Sequence, residues 1–271
     1  MSLKSTLFIF ICMLSAFELQ AKDNIENNSV HYVGELGLSL GGAEYFGDLN
    51  THTGFHAIKP SVGIFYRKFF NDYIGVRGSL HFVQVGYSDV YNKNSFEHTR
   101  NLSFNSNVFE FAIQGDFNFF RFVPGSVTHR FTPYITFGIG GFTFNPYAYY
   151  QDKKYYLQPL GTEGEGSAML PGRKPYSLRA LSFPIGAGVK FNVNKKINVA
   201  FEVVQHLTNT DYLDDVSKTY AGVNVFPPDP NGNPSIANIL QDRSGWDGKV
   251  PIGTTGRQRG NSRNKDQFLL F

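Results

Sequence analysis

The stretch that most constrains this chain is Val108 to Phe119, VFEFAIQGDFNF. Phe109, Phe111, Ile113, Phe117 and Phe119 share one parity; Glu110, Ala112, Gln114, Asp116 and Asn118 share the other. Side chains of a strand alternate faces with a period of two, so one face here is oily and aromatic and the other polar. A tilted strand crosses a bilayer in about 9–11 residues, and the alternation persists over that length. Recurrence of the pattern separates one half-buried strand of a soluble sheet from one stave of a membrane barrel.

The pattern recurs. Leu36, Leu38 and Leu40 alternate with Glu35, Gly37 and Ser39; Val62, Ile64 and Tyr66 with Ser61, Gly63 and Arg67; Ile74, Val76, Leu80 and Phe82 with Gly75, Arg77, Ser79 and His81. Beyond the central stretch, Ile135, Phe137 and Ile139 face away from Tyr134, Thr136 and Gly138. Leu181 to Val193 and Ile197 to Leu207 repeat the alternation, with Lys190, Glu202 and His206 on their polar faces. Asn71-Asp72 and Asn194-Lys195-Lys196 predict tight hairpin turns, and residues 123–131 a turn of moderate length.

The other connections are long and polar, at about 43–57, 88–101, 145–176 and 208–265. Seven strands and a short last one, Gln267 to Phe271, make eight. Short turns alternating with long loops are the signature of an outer-membrane barrel with its long loops outside the cell. The last strand is too short to span, so the eighth stave is short or truncated. A soluble lipocalin-like barrel also has eight strands, but it would turn its oily face inward. Small residues on the polar faces (Gly37, Gly63, Gly75, Gly138, Gly186) suit a narrow lumen. Aromatic residues at strand ends (Tyr66, Phe69, Phe70, Tyr73, Phe119, Phe120, Tyr134) predict interfacial girdles. The expected fold class is therefore all-β: an eight-stranded antiparallel transmembrane outer-membrane β-barrel.

Residues 1–21 read as a signal peptide, with Lys4, an apolar run from Leu7 to Phe17 and a cut after Ala21. Residues 22–30 read as a flexible polar lead-in and 31–271 as the barrel. The single cysteine, Cys12, lies inside the leader, so the mature chain is expected to offer no thiol for a disulfide, a metal or a nucleophile. Losing the leader removes Lys4 and Glu18 and leaves the net charge at +3, which does not suggest nucleic acid. No apolar helical run of spanning length follows, so residence in a membrane requires a closed barrel.

The charges on the polar faces, Glu35, Arg67, Arg77, Glu110, Asp116, Lys190 and Glu202, are expected to meet in the lumen. There they either fill it as an ion-pair network or line a polar conduit; eight strands leave room only for side chains, which favours the filled lumen. His81, His206, Asp211 and Ser79 lie near strand ends on the loop side, but no G-x-S-x-G elbow accompanies them, and no catalytic residue is assigned. Asp229, Asn231 and Asn233 open like a calcium loop, yet Pro234 and Leu240 occupy the positions that need Gly and Glu. The cluster Asp211, Asp214 and Asp215 has the donors for calcium but reads rather as a solvated loop, and no metal or cofactor is expected. Lys68, Arg121, Arg130, Lys195 and Lys196 place positive charge at the short turns. That suits anchoring at an anionic lipid face or docking of a periplasmic partner.

Several loop segments carry a family resemblance: GAEYFGDL (42–49), LQPLGTEGEG (157–166), TDYLDDVSKTY (210–220) and QRGNSRNKD (258–266). With KPSVGIFYR, FTPYITFGIG and FEFAIQGDFNFF, they make the chain similar to the PorG-type outer-membrane barrel of the type IX secretion and gliding machinery. The resemblance implies a non-enzymatic subunit that ties a periplasmic ring, made of a lipoprotein and its partner, to the outer membrane. The motif positions Gly161, Thr162, Glu163, Gly164, Asp211, Tyr212, Leu213, Asp214, Asp215, Arg259 and Gly260 are implied to shape the loops. The alternatives from the residues are a stand-alone adhesin or ligand-binding barrel and a lipid-modifying enzyme.

Overall fold

Two asparagines set the hairpins. Asn71 Oδ1 accepts from the backbone N–H groups of Tyr73 and Ile74, both at 2.8 Å. Asn194 Oδ1 accepts from those of Lys196 and Ile197, at 2.8 and 2.9 Å. Each side chain stands in for a backbone turn and sends the chain straight back along itself. The computed structural model describes residues 16–20, 34–51, 55–246, 248 and 250–271; the lead-in expected at 22–30 lies outside them.

The strands are β1 (Ala16–Gln20), β2 (Gly34–Phe46), β3 (Lys59–Phe69), β4 (Ile74–Ser88), β5 (Ser103–Asn118) and β6 (Phe131–Thr143). They continue with β7 (Tyr147–Tyr150), β8 (Lys153–Tyr156), β9 (Arg179–Asn192), β10 (Ile197–Thr208) and β11 (Gln267–Leu270). Two short helices, α1 (Ser95–Arg100) and α2 (Ile236–Gln241), sit in the long loops. All named pairings are antiparallel and run β2-β3-β4-β5-β6-β9-β10. The eighth place is shared. β11 joins β10 to β2 on the loop side, with Phe268 opposite His206 and Tyr45. β1 joins the same two strands on the turn side, with Phe17 opposite Val199 and Leu38. The segment read as the end of the leader thus supplies half of this stave. Among the described residues, the result is a closed eight-stranded antiparallel barrel of the outer-membrane type, with the β7–β8 hairpin outside the ring.

Parity decides which side chains face out. Ile64, Leu80 and Phe111 are neighbours across β3, β4 and β5, and each leaves about half its surface exposed (47%, 52% and 52%). Leu38, Phe137, Ile185 and Phe201 continue this oily belt around the wall. The inward face is polar and closed by charge pairs. Arg67 bridges Glu35 (3.1 Å) and Asp116 (2.7 Å), and Lys190 Nζ reaches Asp116 at 2.9 Å. Arg77 pairs with Glu202 at 2.9 Å, and Glu110 faces His206 at 2.9 Å. All seven charges read from the sequence as luminal therefore lie in the lumen. Paired and hydrogen-bonded, they avoid the several kcal/mol that an isolated buried charge costs. The space left among them is a cavity of about 80 Å³.

Two girdle residues are corrected. Phe69 and Tyr134 are fully buried and point inward, because they share parity with Arg67 and Thr136. Their rings lie 5.5 and 3.8 Å from Lys190 Nζ, a cation–π arrangement that helps solvate the buried ammonium. Tyr66, Phe70, Tyr73, Phe119 and Phe120 do face outward.

The polarity reverses along the axis. Above Gly42 the inward residues become apolar: Ala43 and Tyr45 on β2, Val83, Val85 and Tyr87 on β4, Phe104 and Val108 on β5, and Phe268 and Leu270 on β11. Leu49, Leu102, Leu157, Leu213, Val216 and Leu240 descend onto them from all four long connections. The loops thus form a packed cap on the barrel mouth rather than irregular solvated excursions. The first expected loop, 43–57, begins four residues later than the sequence suggests, since β2 continues to Phe46 as a wall of this upper core.

Candidate functional site

The loop motifs separated in sequence converge inside the cap. Residues 158–160 form a single 3₁₀ turn, and Gly161 and Gly164 follow it with φ of +59° and +83°. That left-handed backbone suits glycine, and a Cβ on Gly161 would meet the Glu165 carbonyl oxygen at 2.4 Å. The turn aims Thr162 and Glu163 inward, where both are fully buried. Glu163 Oε1 accepts from the backbone N–H of Ser217 at 2.9 Å, and its carboxylate also receives Lys218 N–H. Arg259 Nη1 reaches the same Oε1 at 3.2 Å.

Arg259 is the hub. Its Nη1 donates to the Asp215 carbonyl at 2.6 Å and its Nε to the Gln241 carbonyl at 3.1 Å, so one buried guanidinium ties three loop segments together. The next residue must be glycine, because a Cβ on Gly260 would lie 2.3 Å from Asp48 Oδ2 and 2.7 Å from Ser217 N. Asp215 is held by Thr162 Oγ1 (2.5 Å) and Tyr176 Oη (2.6 Å). The Tyr176 ring stacks on Tyr212 at 4.3 Å. Burial nonetheless outweighs these donors and Arg259, and the Asp215 carboxyl is pushed up to about 7.

A second cluster adjoins the first. The Tyr45 hydroxyl lies between two carboxylates, 2.5 Å from Asp214 Oδ2 and 3.0 Å from Asp266 Oδ1. Burial raises both acids well above the usual carboxylate range, helped by the charges of Asp266 and Asp48 at Asp214 and of Asp211 and Asp48 at Asp266. Asp266 also receives Leu213 N–H at 2.8 Å, which seats Leu213 in the core. Asp211 is buried as well, and neither of its oxygens accepts a well-aligned hydrogen bond among the described residues. Burial lifts it to about 7. The reading of Asp211, Asp214 and Asp215 as a solvated loop is thereby corrected: the cap folds over them. Among the described residues, no group of three or more acidic, His or Cys side chains has metal-holding geometry.

Comparison with known proteins assigns the chain at this point. The profile of a domain of unknown function, DUF6089, matches residues 6–224. The chain belongs to the DUF6089 family. No curated protein matches its sequence. Among solved structures, it is similar to Ail, the attachment invasion locus protein of Yersinia pestis, determined in complex with the heparin analogue sucrose octasulfate. The identity is 12% and the TM-score 0.30, over 72% of this chain and 86% of that one.

The family match ends at residue 224, yet the motif network of this DUF6089 protein draws Arg259 and Asp266 from beyond it. Sequence reading missed the partners Asp48, Tyr45, Tyr176 and Asp266, and with them Arg100, which binds Asp89 at 2.7 Å and the carbonyls of Asp48 and Arg259. Three of the five, Tyr45, Asp48 and Asp266, lie inside the segments that carry the family resemblance, and that proximity was the available signal. The basic residues Lys68, Arg121, Arg130, Lys195 and Lys196 are gathered at the opposite, short-turn end. There Arg121 pairs with Asp72 at 2.8 Å, and Lys68, Lys195 and Lys196 are exposed. His206 and His81 both face Glu110 in the lumen, at 2.9 and 3.8 Å, while Asp211 is in the cap. Ser79, the serine read with them, is buried on β4 and its hydroxyl has no hydrogen-bond partner among the described residues; the Ser182 hydroxyl donates to Glu110 at 2.5 Å. Asp229 Oδ1 caps a turn by accepting from Asn231 N–H and Asn233 N–H, both at 2.8 Å.

Proposed function

We propose that this DUF6089 protein is a non-enzymatic barrel of the bacterial outer membrane that anchors other proteins there, as a subunit of a type IX secretion machine. One observation carries the reading: the charged side chains of the loop motifs are spent inside the cap. Glu163, Arg259, Asp214, Asp215 and Asp266 bind one another and the backbone, and the lumen is filled by ion pairs. Neither arrangement presents a conduit or an activated nucleophile. What is left for function is surface: a rigid roof on one side and a basic rim on the other. The secretion machine enters through the resemblance of the loop motifs, and the basic rim faces the periplasm, where a ring of lipoprotein and partner would dock.

Deleting the protein and measuring export of the machine's substrates tests the proposal; normal export refutes it. Charge reversal at Lys195 and Lys196 should reduce recovery of the ring proteins after mild detergent extraction. A second reading, a surface ligand binder, is favoured by the β7–β8 hairpin. It carries exposed Tyr149 and Tyr156, with Lys154 Nζ 3.6 Å from the Tyr147 ring. Replacing that hairpin by a short Gly-Ser turn would abolish surface binding and spare export if this second reading were right.

A further inference from the structure

The oily belt ends, on the short-turn side, in a cleft of about 480 Å³. One wall is aromatic, made of Phe119, Phe120 and Phe131, each exposed. The other is polar, made of Arg121, Thr128 and Arg130. Arg130 is fixed in place: Nε donates to the Asn192 carbonyl at 3.0 Å, Nη2 to the Val193 carbonyl at 3.1 Å, and the guanidinium lies 4.9 Å from the Phe191 ring. These acceptors are neutral, so they orient the charge without cancelling it. Arg121 extends from the facing segment with its side chain half exposed, steered by Asp72. The Thr128 hydroxyl is exposed between them.

We infer that this cleft binds the phosphodiester headgroup of an anionic phospholipid in the leaflet at the short-turn side, an inference that rests on the membrane reading above. The level follows from the belt, because headgroup phosphates lie where the outward aromatic residues give way to polar ones. Two guanidinium groups and a hydroxyl are the donors that phosphate oxygens take, and a guanidinium already held in position loses little freedom on binding. The three phenylalanines select a lipid over a soluble phosphate, since they can cover the upper part of an acyl chain and have nothing to gain from an ion alone.

Native mass spectrometry of the full chain in detergent, with phosphatidylglycerol or phosphatidylcholine of matched acyl chains added, tests the site. One phosphatidylglycerol is expected to be retained in preference to phosphatidylcholine. Arg121→Gln and Arg130→Gln should each lower retention about fivefold, whereas Lys195→Gln with Lys196→Gln, equally basic but outside the cleft, should not. Arg130 also holds the end of β9 and Arg121 pairs with Asp72, so each variant is compared at an unfolding temperature in detergent shown to match the wild type, and Arg121→Gln, whose side chain is half exposed, is the decisive one. Equal retention of the two lipids, or retention by Arg121→Gln at the wild-type level, overturns the site. A chain that does not enter phospholipid vesicles at all refutes the membrane reading itself, and the site falls with it.

Discussion

Replacing Arg259 by Met keeps the volume of a buried side chain and removes its charge and donors. Glu163 then loses its cation while remaining fully buried, and the carbonyls of Asp215 and Gln241 lose theirs. Breaking a buried pair by removing one partner costs about 3–5 kcal/mol. Ser217 and Lys218 N–H still solvate Glu163, which puts the expectation at the lower end, about 3 kcal/mol. The hydrogen-bond partners of this pair, Asp215, Ser217, Lys218 and Gln241, all lie in the last long loop, so the cost falls on opening of the cap. Hydrogen exchange of amides in residues 210–266 should therefore lose about 100-fold in protection, while amides of β3, β4 and β9 keep theirs. Adding Glu163→Gln to Arg259→Met removes the stranded charge and should recover part of the loss, a coupling that a double-mutant cycle isolates. Unchanged protection in Arg259→Met, or a double variant worse by the sum of its parts, would refute the hub.

Three further outcomes are expected. Asp211 and Asp215 are raised to about 7 by burial, so the folded cap binds more protons than the unfolded chain between the ordinary carboxylate range and neutrality. Their contribution is then full at acid pH and lost as pH rises through about 7. Proteolysis of the long loops should be faster at pH 8 than at pH 5, and Asp211→Asn should protect the cap at pH 8 and flatten its pH dependence. Ile113→Arg places a charge in the middle of the oily belt at a cost of about 2–4 kcal/mol, and should sharply reduce folding into vesicles. Lys190→Met removes one of the two direct ion pairs of Asp116 and leaves the one to Arg67; heat-modifiability on gels should show a barrel unfolding at lower temperature with its cap motifs intact.

The strands and their facing were legible because a period of two is a local property. Each oily residue from Leu36 to Leu207 takes its side from its own parity, and the belt needs only its neighbours in register. The seven luminal charges follow from the same rule, and so do Phe69 and Tyr134, where parity overrides position at a strand end and turns an aromatic ring into the lumen. The upper core was legible in part. Val83, Val85 and Tyr87 carry apolar residues on the parity of Arg77 and Ser79, a reversal that announces a change of environment above Phe82.

The sequence alone determined the staves, the turns and the inward charges, since alternation and Asx turns act within a few residues. Only the tertiary structure decided that the loops are a folded cap. Asp215 and Arg259 become partners because their chain segments meet over the barrel mouth, and the same closure buries Asp211, Asp214 and Asp266 from the water that their spacing suggests. The eighth stave is likewise a tertiary result, since β11 and β1 come from opposite ends of the chain and meet only through the free edges of β10 and β2.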